Sequence, residues 1–149
     1  MRLDTVIVAD AAAQAGGKLS ILGAWTTRLR PQTFPWSEPF SVIVRAYLDE
    51  EDYERPQAVE IVVEGPAARG MSSRFEPDVA QLQEGRAKTV EGEQHAIVFT
   101  TTQYGFQFLE PGLYEVVVRF DSNEVARYPL PVVPADADIP PPSEGAARR

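Results

Sequence analysis

The chain contains no cysteine and a single histidine, His95. The first absence excludes disulfides, thiolate metal centres, iron–sulfur clusters and a cysteine nucleophile. The second excludes any site built from two imidazoles of one chain. Basic residues are few: 14 Lys and Arg stand against 22 Asp and Glu, a net charge of −8. Phosphate contacts need clustered Lys and Arg, so nucleic acid is not an expected partner. Long apolar runs are also missing. None approaches the 18 or more residues of a membrane-spanning helix, so no membrane association is expected. The short apolar run at 5–9 is flanked by Asp4 and Asp10, and a signal peptide tolerates no such charges. It reads as a strand, and the expected compartment is the cytoplasm.

What is present is alternation. Phe40, Val42, Val44, Ala46 and Leu48 share one face of a strand; Ser41, Ile43, Arg45 and Tyr47 share the other. Val59, Ile61 and Val63 alternate with Glu60 and Glu64. Tyr114, Val116, Val118 and Phe120 alternate with Glu115, Val117 and Arg119. Further strands are expected at 3–9, 18–23, 24–30, 95–103 and 125–133, with weaker ones at 71–75 and 105–109. Asp10 is expected to cap a helical turn over 11–15, stopped by Gly16 and Gly17. Gly23 is a candidate bulge. Pro31, Pro35 and Pro39 mark an irregular crossover, and residues 121–124 a tight hairpin turn. Residues 78–94 read as a long polar loop with one helical turn near Val79.

These signals predict an all-β fold: a two-sheet, mainly antiparallel β-sandwich, immunoglobulin-like or C2-like, with at most one or two short helical turns. One domain is expected over 1–134, followed by a Pro-rich acidic tail over 135–149 that is disordered or extended. Pro129 and Pro131 lie two apart, so both missing N–H groups fall on one side of their strand. That strand is expected at a sheet edge, with the prolines blocking further pairing.

Several stretches carry a resemblance: Ala9-Asp10-Ala11-Ala12, Gly17 through Trp25, Pro39 to Val44, His95 at a strand start, and Pro111-Gly112-Leu113-Tyr114 through to Val133. Together they resemble a family of small uncharacterised bacterial proteins, a domain of unknown function. The resemblance implies a β-sandwich over about residues 1–134 and brings no activity and no catalytic residues.

The candidate sites are weighed by chemistry. Asp49, Glu50, Glu51, Asp52 and Glu54 follow a strand end, where carboxylates hold Ca²⁺ in some sandwich domains. The ion needs 6–8 oxygen ligands, and Asp121 is the one helper in view. Asp49, Asp52 and Asp121 are therefore weak metal candidates, and a solvated loop is the preferred reading. His95 could act as a base only with an orienting partner, for which Glu91 and Glu93 are candidates, and a nearby nucleophile. No serine sits in a Gly-x-Ser-x-Gly context. A strand-start histidine bonded to backbone is preferred. Asp4 and Asp10 share a strand face but stand ~20 Å apart at ~3.4 Å per residue, too far to be a catalytic pair. Arg28 and Arg30 are read as surface partners of Glu60 or Glu64. Gly16-Gly17-Lys18 lacks the rest of a phosphate loop.

Trp25, Phe34, Trp36 and Phe40 form an aromatic stretch around the proline crossover. Aromatic anchors are common at interfaces. Trp36 is expected to project outward between inward-facing Phe34 and Phe40. The preferred reading is a non-enzymatic binding or scaffolding module, with no cofactor, that contacts a protein partner or a second copy through Trp36, Phe34 and Trp25. The alternatives are an enzyme or enzyme accessory with a pocket around His95, and a calcium-assisted or carbohydrate-binding module.

Overall fold

A computed structural model describes residues 1–24, 28–66 and 71–137, Met71 by its backbone alone. The strands are β1 (Arg2–Ala15), β2 (Lys18–Ala24), β3 (Phe40–Tyr47), β4 (Val59–Glu64), β5 (Met71–Phe75), β6 (Ala96–Gln103), β7 (Gly112–Phe120) and β8 (Asn123–Val132). A 3₁₀ turn over Glu50–Tyr53 follows β3, and one helix, α1 (Val79–Ala87), precedes β6. The strands form two four-stranded sheets, ordered β2-β1-β3-β6 and β5-β4-β7-β8, with every neighbouring pair antiparallel. This is the expected two-sheet sandwich.

The alternation puts its apolar faces together. Val8, Phe40, Val42, Val44, Ala46 and Phe99 from one sheet meet Val59, Ile61, Val63, Tyr114, Val116, Val118 and Leu130 from the other. Burying each Val, Ile, Leu or Phe side chain among them contributes about 1.5–3 kcal/mol. On the outer face of the second sheet, Glu64 and Glu115 stand directly opposite each other, a like-charge pair. Arg127 offsets it, reaching Glu64 at 3.0 Å, Glu115 at 2.7 Å and Glu124 at 2.7 Å. Arg119 ties Glu60 to Glu64. Val117 lies in register between Val62 and Arg127 and is fully buried despite facing outward.

Four expectations need correction. Residues 10–15 are not a helical turn: they continue β1, and Gly16 and Gly17, both at positive φ, close a two-residue hairpin into β2. Asp10 is thus a strand residue opposite Gly23, and its carboxylate fills the space a side chain at Gly23 would take. Gly23 has φ +63° without shifting the register. Second, the segment 78–94 holds a nine-residue helix, begun by Asp78, whose carboxylate accepts from Ala80 and Gln81 backbone N–H groups. Third, the expected strand at 105–109 reduces to an isolated bridge of Phe108 with Trp36; of the expected strand at 24–30, Ala24 closes β2 and Leu29 bridges Val132, while residues 25–27 lie outside the described residues.

The fourth concerns β8. It is an edge strand, as Pro129 and Pro131 imply. The prolines do not block all pairing, however. A carbonyl beside a missing N–H still accepts, and Leu29 N–H donates to Pro131 O at 2.9 Å while Val133 N–H returns a bond to Leu29 O.

Candidate functional site

The two ends of the sandwich differ in chemistry. At one end, β3 begins at Phe40, β6 finishes at Gln103, and the crossover 31–39 meets the loop after β6. Trp36 and Phe108 exchange both backbone hydrogen bonds, at 3.0 and 2.9 Å, and their rings stack with centroids 5.1 Å apart. Phe108 in turn packs edge-on against Phe106 and Tyr114. Trp36 is therefore half-buried in an aromatic plug rather than projecting outward, because its strand-like pairing turns the indole onto Phe108. Phe34 is half-buried and Phe40 fully buried, as expected of inward-facing rings. Trp25 lies outside the described residues.

The same end carries an element the sequence reading missed. β1 pairs with β3 only through residues 2–9, and beyond Ala9 it pairs with β2 alone. The β1–β2 hairpin reaches ~20 Å past the last β3 rung, at ~3.4 Å per residue. Its residues 10–24 are exposed apart from half-buried Ala12 and Leu19. One face of this arm presents Ala11, Ala13, Ala15, Ser20 and Leu22; the other presents Ala12, Gln14, Leu19 and Ile21. Leu22 is 70% exposed. Among the described residues, no strand pairs with the outer edge of β2 or with the opposite edge of residues 10–15. A Gly-Gly pair between two short apolar runs was the available signal for this hairpin.

The opposite end is polar. His95 Nδ1 lies 3.0 Å from the Tyr53 hydroxyl, and the two rings stack. His95 O accepts from Leu48 N–H. The ring thus uses a phenol, not the backbone group or the Glu91 or Glu93 carboxylate expected; Glu93 instead accepts from Val90 N–H. Burial pushes the Tyr53 phenol above its ordinary value, against the Arg86 guanidinium stacked on its ring. Beside His95 lies a hollow of about 610 Å³, lined in part by Arg74, Asp78, Gln81, Phe75 and Phe99. Its acids already have partners: Asp78 caps α1, and Glu76 pairs with Arg74. Whichever tautomer His95 adopts, Nδ1 is engaged by Tyr53, and its Cε1–Nε2 edge lies against Gly85 of α1.

Asp49, Asp52 and Asp121 do converge on one depression, as the sequence suggested they would have to. Their oxygens are engaged from within the chain. Asp52 lies 2.7 Å from the Met1 amino group and accepts from Asp49 N–H, and Asp121 accepts from Ala58 N–H at 2.8 Å. Among the described residues, no group of three or more His, Asp or Glu side chains is arranged to hold a metal ion. Asp4 pairs with Arg45 at 2.7 Å. Glu60 and Glu64 take Arg119 and Arg127 in place of the expected Arg28 and Arg30. Among the described residues no helix is long and apolar enough to cross a membrane.

Comparison with known proteins adds one match. The profile of DUF6941, a family of unknown function, matches residues 4–133, nearly the whole two-sheet body and its arm. No curated protein matches the chain.

Proposed function

We propose a function for a chain that belongs to the DUF6941 family: it is a non-catalytic binding module that acts through protein contacts, and the β1–β2 arm is its contact element. The bare arm carries this reading. A two-stranded hairpin is marginal in water by itself, and this one holds Leu22, Ile21 and a row of alanines in solvent, while among the described residues no strand pairs with the outer edge of β2 or the far edge of residues 11–15. An added strand would satisfy those N–H and C=O groups, the mode by which extended segments join a sheet edge. The aromatic plug around Trp36 and Phe34 stands at the same end and flanks whatever the arm engages.

A second reading rests on the hollow at His95, a concave polar site of ligand size. The pairing of its acids within the chain weighs against acid–base chemistry there, since a general base must be free to take the proton.

The test exploits the absence of cysteine. A photo-crosslinker attached through Leu22→Cys should give discrete protein adducts in a cell extract. The same probe at Glu54→Cys, at the opposite end, should not. Equal adducts from both positions, or none from either, would overturn the reading.

A further inference from the structure

The arm also restricts what can pair with it, and we infer that its occupant is a second copy of this chain, joined β2 to β2 in antiparallel register. This rests on the arm being the contact element, as argued above.

Three observations point to a like partner. The first is charge. The chain carries a net −8, so two copies repel over most of their surfaces. Residues 10–24 hold one acid, Asp10, and one base, Lys18. The arm is thus a stretch on which two copies can approach without like-charge cost. An acidic or basic partner finds little there to select it.

The second is self-complementarity. An antiparallel pair related by a twofold axis normal to the sheet puts each residue opposite one on the same face. Centring β2 on Ile21 is the arrangement that pairs all seven of its residues. Lys18 then faces Ala24 of the other copy, Leu19 faces Gly23, Ser20 faces Leu22, and Ile21 faces itself. No like charges meet, and the β-branched residue sits at the centre, where strand pairing favours it.

The third is continuity. β2 ends the sheet β2-β1-β3-β6, so joining two copies makes one antiparallel eight-stranded sheet and removes both open edges. A standard interface uses about 20–30 residues a side. The arm supplies residues 10–24, between half and three-quarters of that, which fits a reversible, concentration-dependent dimer.

The experiment is sedimentation of the purified full chain across a concentration series, alongside Leu22→Asp. The wild type should shift towards twice 16.4 kDa as concentration rises. Leu22→Asp should stay at the monomer mass with an unchanged circular dichroism spectrum, since the arm packs chiefly on itself. Separately, Ile21→Cys should oxidise to a disulfide-linked dimer. Paired strands hold facing Cα atoms ~4.5–5.5 Å apart, inside the range a disulfide spans. A dimer that survives Leu22→Asp, or an Ile21→Cys chain that stays monomeric under oxidation, overturns the inference. So does a wild type that is monomeric throughout. If arm-specific adducts with other proteins persist in that case, the binding-module reading stands without the second copy; if they too are absent, both readings fall.

Discussion

β2 and β8 occupy equivalent places, each closing one side of a four-stranded sheet, yet the chain treats them in opposite ways. β8 carries Pro129 and Pro131, is anchored by the fully buried Leu130 and Val132, and has its outer edge partly covered by the segment at Leu29. β2 has no proline, a single charge and no buried residue. The other two edges are also managed. β5 is five residues long, and β5 and β6 are tied across the sandwich by Ser73, Thr101 and Gln103. An edge strand left long, apolar and unguarded is a hazard unless something pairs with it. On the proposed reading, the contrast separates an edge built to stop pairing from one built to accept it.

The largest effect that sharpens this contrast compares two leucines. Leu130→Ala on β8 should cost about 2–5 kcal/mol in urea denaturation, because it opens a cavity in the core. Leu22→Ala on β2, measured on dilute protein, should stay within about 0.5 kcal/mol, as surface changes do. A large loss at Leu22 under those conditions would mean that the arm is part of the fold.

A smaller effect concerns the tied edges. Thr101→Val keeps the volume but removes the hydroxyl that meets Ser73 at 3.1 Å and Gln103 at 2.8 Å. Expected destabilisation is about 1–2 kcal/mol, one or two net hydrogen bonds. No change in the denaturation midpoint would show that this polar group does not hold the two sheets together.

Removing the guards should change association more than stability. Pro129→Thr with Pro131→Thr restores two edge donors while leaving the carbonyl that Leu29 uses. Light scattering should rise with concentration while the melting temperature hardly moves. Unchanged scattering would mean that the prolines serve something other than edge protection.

The smallest effect is acid sensitivity. The hydrogen bond and charge of Lys88 hold the Glu84 carboxyl below its ordinary value of 4.5, and a hydrogen bond from Arg127 does the same for Glu124. Carboxyls lowered in the folded state contribute stability that is fully present above about 4.5 and fades as pH falls through their folded values. Both are solvent-exposed, so the loss should be slight. Lys88→Met should flatten the stability–pH curve only below that point; a change near neutral pH would contradict the assignment.

Much of this contrast was legible in the sequence. Period-two alternation located β3, β4, β6, β7 and β8 to within a residue or two, because half-buried strands must alternate. Pro129 and Pro131 marked β8 as an edge because a missing donor cannot be hidden. The arm was misread for a local reason. Alanine is the best helix former and Asp a good N-cap, so Asp10 followed by three alanines argues for a helical turn. The pairing of Ala9–Ala15 with Lys18–Ala24 overrides that preference through the Gly16-Gly17 turn. Trp36 was placed outward because its prolines forbid a regular strand, but a single reciprocal bridge to Phe108 suffices to turn it inward. The Tyr53–His95 pair had no local signal, as its members lie 42 residues apart.

The most direct test of the central claim is amide hydrogen exchange at low and high protein concentration. The account expects protection of residues 18–24 to rise with concentration, while the amides of β8 and the core strands exchange at unchanged rates. Amides in β2 that exchange equally fast at every concentration, or a rise in protection centred on β8 instead, would contradict it.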